Sequence, residues 1–112
     1  MNKRKKGNST QISIRSRTTG EWDLIFKKIT PAGDSNLQSL SKHIRREVLK
    51  VKNRLNDVPE SVTWMGGEKV VMRPYLDNSI IEDIKYIAIC MKVSEPEVID
   101  RLIITPLLQP QP

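Results

Sequence analysis

The sequence holds one cysteine, Cys90, and one histidine, His43, which excludes an intrachain disulfide and any zinc site built from Cys and His at the usual spacing. Its longest apolar stretches, such as Ile87 to Met91, are far too short to cross a bilayer. Met1 to Thr10 is basic but runs into polar residues instead of an apolar segment, so it does not read as a secretory signal. There is no P-loop, no G-x-G-x-x-G and no carboxylate constellation, so neither an enzymatic activity nor a cofactor or metal is expected. At 112 residues the chain is one domain, or two very small motifs sharing a core.

What the chain has is charge, unevenly placed. Residues 1–54 carry fourteen Lys/Arg against Glu21, Asp23, Asp34 and Glu47, a balance of +10; residues 55–112 carry five against nine, a balance of −4, and together these give the formal +6. A basic half on a small protein points to a polyanion partner, usually nucleic acid. The plain alternative is that the charge only keeps the protein soluble.

Met1 to Ser9 has four basic residues and no acid, and reads as a disordered tail whose charge would add only nonspecific attraction if it met a polyanion. Gln11 to Arg17 alternates, with Ile12 and Ile14 apolar, as a short half-buried strand does. Thr18 to Glu21 is a capping box ahead of Trp22, Ile25, Phe26 and Ile29 at helical spacing, and Thr30 to Asp34 breaks that helix. Ser35 to Gln38 opens a long amphipathic helix with Leu37, Leu40, Ile44, Val48, Val51 and Leu55 on one face and Lys42, Arg45, Arg46, Lys50, Lys52 and Arg54 on the other. Asn56 to Gly67 reads as a linker, with Trp64 as a lid on the core.

The second half repeats the plan. Lys69 to Leu76 is strand-like, Asp77 is placed to cap a helix carrying Ile80, Ile81, Ile84, Ile87, Ala88 and Met91, and Ser94 to Glu97 caps a last helix that Pro106 ends. Shifting the first half by 58 residues places Ile12 and Ile14 on Val70 and Met72, Arg15 on Arg73, and Trp22, Phe26 and Ile29 on Ile80, Ile84 and Ile87. Cys90, among Ile and Met residues, reads as a core position, and His43 as a surface one.

The second unit, Val70 to Leu76, Asn78 to Met91, Lys92-Val93-Ser94 and Glu95 to Thr105, resembles a ribbon-helix-helix motif of the MetJ/Arc/CopG type. The first unit, Gln11 to Leu55, resembles it less closely because TPAGDSN enlarges the turn between its helices. A lone unit cannot pair its strand or bury its apolar faces, and in the family two chains pair their strands above four helices. Two units in one chain would do the same intramolecularly, as in the single-chain tandem members among T-DNA transfer accessory proteins.

The expected fold is therefore mainly α with a two-stranded antiparallel β-ribbon, as two ribbon-helix-helix units in one chain. The expected boundaries are a basic tail 1–9, a first unit 10–55, a linker 56–67, a second unit 68–107 and a tail 108–112.

The resemblance implies that the ribbon enters the major groove of double-stranded DNA, with Gln11, Ser13, Arg15 and Arg17 on one strand and Lys69, Val71, Arg73 and Tyr75 on the other facing the bases. Arg suits guanine, Gln adenine, and Val a thymine methyl. It also implies phosphate contact at the starts of the second helices, Ser35-Asn36 and Ser94, where free N–H groups favour an anion although Glu95 opposes it. Lys42, Arg45 and Arg46 join the phosphate set. Each assignment has a plain counterpart, since alternating polar residues form the wet face of any strand and a basic helix side is commonly just solvated.

The implied role is a transcriptional repressor or regulator, cytoplasmic and bound to DNA. The alternatives are an accessory protein of plasmid transfer (conjugation), replication or partition, and, in another class, an antitoxin wrapping a protein toxin. The antitoxin is disfavoured because the chain ends a few residues after the second unit. Implied partners are double-stranded DNA, further copies of the chain on DNA and, for a transfer role, a relaxosome or other plasmid protein, with no membrane.

Overall fold

The structure, a computed structural model, describes residues 5–6, 8–51 and 67–108. Met1 to Arg4, the expected linker apart from Gly67, the long helix beyond Val51 with Arg54 and Leu55, Trp64, and the tail after Leu108 lie outside these residues.

The chain is mainly helical around one antiparallel ribbon. Its elements are β1 (Lys5–Lys6), β2 (Ser9–Gln11), β3 (Arg17–Thr18), α1 (Thr19–Ile29), α2 (Asn36–Val51), β4 (Lys69–Val70), β5 (Tyr75–Asp77) and α3 (Asn78–Met91). A last helical stretch runs from α4 (Glu95–Ile99) through a π-helical turn (Asp100–Ile104) into α5 (Thr105–Leu108). The ribbon joins segments far apart in sequence: β2 pairs with β5, Gln11 opposite Tyr75, and β3 pairs with β4, Arg17 opposite Val70. Between these ladders the Ile12 and Ile14 amides donate to the Pro74 and Met72 carbonyls, both at 3.0 Å. Pro74 has no N–H to return the bond, which is why the ladder is broken there.

The register slips once. From Ser9–Asp77 to Ile14–Met72 each step forward on one strand is one step back on the other, but Arg17 faces Val70, so Arg15 and Ser16 together oppose Val71. That is a β-bulge. Because side chains alternate with period two, one extra residue moves everything after it to the opposite face. Ser13 and Arg15 are exposed, yet Arg17 points inward and is 2% exposed.

A third strand, β1, pairs with β2, with Lys5 opposite Thr10 and Lys6 opposite Ser9. The basic tail expected to be disordered through Ser9 is therefore strand at Lys5–Lys6 and at Ser9. Pairing to β2 gives these basic residues backbone partners that their composition does not signal.

Caps hold the helices in place. Glu21 N donates to Thr18 Oγ1 at 3.2 Å and Thr18 N to Glu21 Oε1 at 3.0 Å, which completes the expected capping box of α1. Ser35 accepts from Gln38 N and Ser94 from Glu97 N, as their spacing predicts. Asp77 precedes α3 without a side-chain cap bond, since its carboxylate accepts from Ser9 Oγ and pairs with Arg45 instead. Pro106 does not end the last helix, which continues to Leu108. It falls in the first turn that follows the π-helical segment, where a missing N–H is tolerated.

The helices interleave between the halves: α1 packs on α2 and α5, α2 on α3 and the π-helical turn, and α3 on α4. The shared core contains Ile14, Trp22, Ile25, Phe26, Leu40, Ile44, Ile84, Ile99 and Ile103. Trp22 stacks on Phe26 at 5.6 Å between ring centres and donates Nε1–H to the Val70 carbonyl at 2.9 Å, pinning α1 to β4. Cys90, expected in this core, is exposed, because Ile80, Ile84, Ile87 and Ala88 already define the inward stripe of α3 and Cys90 falls off it.

His43 is half-buried on α2 rather than on the open surface. Burial lowers its pKa, Arg46 and Lys50 lower it further, and Glu47 opposes them. The unfolded chain then takes up a proton near pH 6.5 that the folded one resists, so stability should fall as pH drops below that value. His43→Gln should shrink the loss of unfolding free energy between pH 7.5 and 5.5 in urea titrations. An equal loss in both proteins would assign the acid sensitivity elsewhere.

Candidate nucleic-acid interface

The outer face of the ribbon combines residues from both halves. Gln11 lies opposite Tyr75, the continuing register sets Ser13 opposite Arg73, and Arg15 stands at the bulge across from Val71. Ser13, Arg15, Lys69 and Arg73 are exposed, while Gln11, Val71 and Tyr75 are half-buried. Gln11 is committed across the ribbon, its Nε2 donating to the Arg73 carbonyl at 2.9 Å.

Arg17 must be removed from the outward set. Its Nε donates to Asp100 Oδ1 at 2.7 Å and its Nη2 to Asp100 Oδ2 at 3.0 Å and to Thr105 Oγ1 at 3.2 Å. Glu21 Oε2 lies 3.4 Å from its Nη1. The bulge is the cause, since strict alternation would have left Arg17 outside. The resulting cluster of Arg17, Glu21, Asp100 and Thr105 is buried and ties the first strand to the last helix. Sequence reasoning missed it, although an acid inside Val98-Ile99-Asp100 and ahead of Leu102-Ile103-Ile104 is itself a sign of a buried partner.

The phosphate candidates divide into two groups. Ser35 and Asn36 at the start of α2, and Lys42, Arg45 and Arg46 along its middle turns, are exposed. Arg45 Nε is 3.6 Å from Asp77, a pair so open to solvent that it competes weakly with any other anion. An open cleft of about 470 Å³ runs between this helix and the ribbon, lined by Gln11, Arg73, Pro74 and Tyr75 on one side and Leu37, Gln38, Ser41 and Lys42 on the other. Base-facing and phosphate-facing candidates therefore meet here.

Ser94 is also exposed, but its helix begins with Glu95 and Glu97, and Glu97 lies 3.4 Å from Arg15. Negative charge at that helix start takes the place an incoming phosphate would want.

Comparison with protein-family models, with curated proteins and with solved structures finds no match to this chain. Among the described residues no helix is long and apolar enough to cross a membrane.

Proposed function

We propose that the chain is a sequence-specific double-stranded DNA-binding protein which lays its β-ribbon in the major groove and regulates transcription by occupying its site. The observation that carries this reading is the ribbon itself: two antiparallel strands, bordered at one end by the short β1, with Ser13, Arg15, Val71 and Arg73 on the outer face and Lys42 and Arg45 of α2 at its flank.

The reading includes the two-unit ribbon-helix-helix arrangement, and the register supports that part. Ile14 and Met72, hydrogen-bonded across the ribbon, are 58 residues apart, the same offset that superposes the two halves of the sequence. Equivalent residues facing each other are what an approximate two-fold axis through that pair requires. The interleaved packing of α1 on α5 and α2 on α3 fits the same symmetry.

Binding of this kind depends strongly on salt, with a log–log slope of about −0.9 for each phosphate neutralised. Replacing Arg45, Arg46 and Lys50 together by Ala should flatten the slope and leave the preferred site unchanged. Anisotropy titrations of a labelled duplex across a salt series check this. An unchanged slope would assign that helix face to solvent, and no duplex binding by the intact chain would end the functional reading.

A further inference from the structure

We propose that Glu97 restrains Arg15, so that the two central ribbon arginines meet DNA unequally, with Arg73 as the principal contact and Arg15 engaged only when it leaves Glu97. This rests on the DNA-binding reading above and assigns a determinant of affinity to a residue outside the binding face.

Arg15 and Arg73 are equivalent under the 58-residue shift, yet their surroundings are opposite in charge. Arg73 lines the open cleft beside Lys42, and among the described residues no carboxylate lies within ion-pair distance of it. The shift carries Lys42 onto Asp100 and Tyr75 onto Arg17. On that side the place of the cleft is taken by the buried Arg17–Asp100 pair, and Arg15 Nη1 is 3.4 Å from Glu97 Oε1 and 3.5 Å from Asp100 Oδ2. A guanidinium beside Lys42 gains from an incoming phosphate or guanine without surrendering a partner. Arg15 must give up Glu97 first, and a phosphate approaching it also meets that carboxylate.

Arg15 and Glu97 keep 47% and 29% of their side-chain surface exposed, so the restraint is modest. A pair this open is worth at most about a fivefold change in an equilibrium constant. Asp100 is unsuitable as the test residue because it also holds Arg17, whereas Glu97→Gln removes the charge and keeps the shape.

The test is a double-mutant cycle on the full chain, titrating a duplex selected from random DNA at one salt concentration. Glu97→Gln should tighten binding about three- to fivefold when Arg15 is present and less than about 1.5-fold in the Arg15→Ala background. Equal gains in both backgrounds would show a general charge effect and overturn the proposal, as would no gain in a chain that binds DNA. A readout without DNA separates this from the functional reading. In the free protein the Arg15 Nε–Hε NMR signal should shift in Glu97→Gln while the Arg73 signal stays in place. An unmoved Arg15 signal overturns the restraint, whether or not the chain binds DNA.

Discussion

Asp100→Ala should lower the unfolding free energy by about 3–5 kcal/mol, the range found when one partner of a buried ion pair is removed and the other keeps its charge. Arg17 would lose its 2.7 Å and 3.0 Å bonds at a site where it is 2% exposed, while keeping its contacts with Glu21 and Thr105. A domain of ordinary stability has about 5–15 kcal/mol in total, so the variant should be near the edge of folding. Replacing the cluster as a whole, Arg17→Met with Asp100→Leu and Glu21→Gln, should recover most of the loss, because the dehydrated charges are then gone from both sides. Urea denaturation reads both effects through the midpoint. A loss under about 1 kcal/mol for Asp100→Ala, the size expected of an exposed pair, would mean that the cluster is hydrated in solution. Since this cluster joins β3 to the last helix, hydrogen exchange should speed up first at Arg17–Thr18 and Lys69–Val70.

Arg73→Ala should weaken specific DNA binding by about 1–3 kcal/mol, roughly five- to 150-fold, and relax the preference at one base position. Arg73 is exposed, sits on the outer face opposite Ser13, and borders the cleft that leads to the start of α2. Its removal leaves the core untouched, so thermal stability should change little. Arg15→Ala should cost less than Arg73→Ala, because the wild-type Arg15 already spends part of its interaction on Glu97 and Asp100. Arg17→Ala should also reduce binding, but in step with lost stability, which marks it as a residue of the fold. Affinity and melting temperature measured on the same three variants separate these cases. Equal affinity losses for Arg15 and Arg73 would contradict the unequal roles, and retained affinity in Arg73→Ala would remove the ribbon face from the interface.

The helices were legible because their signals are local. The Thr18–Glu21, Ser35–Gln38 and Ser94–Glu97 caps depend on three-residue spacings, and the stripe Ile80, Ile84, Ile87 depends on one period. The pairing of the first strand with the second was legible from the repeat, since neither strand has another partner of its own length. The bulge was not. Nothing in Ile14-Arg15-Ser16-Arg17 departs from alternation, and the extra residue shows only in the pairing, where Arg17 faces Val70 and its side chain reaches Asp100. That one-residue slip moves Arg17 from the candidate interface into the interior, where Asp100 receives it. Cys90 was misplaced for a simpler reason: the apolar residues around it in sequence hide that the buried stripe of Ile80, Ile84, Ile87 and Ala88 passes to one side of it. Asp77 and Pro106 illustrate the same limit, each obeying a tertiary partner or an unusual helical turn in place of its usual local role.

The most direct test of the central claim is selection of bound duplexes from random double-stranded DNA, performed in parallel with the wild-type chain and with Arg73→Ala. One chain presents Ser13 and Arg15 on one strand and Val71 and Arg73 on the other, so the two halves of its site are not read alike. The account predicts enrichment of a short, non-palindromic site with a guanine that loses its preference in Arg73→Ala. Failure to enrich any sequence, or recovery of a perfect palindrome for each bound chain with no change in the variant, would contradict it.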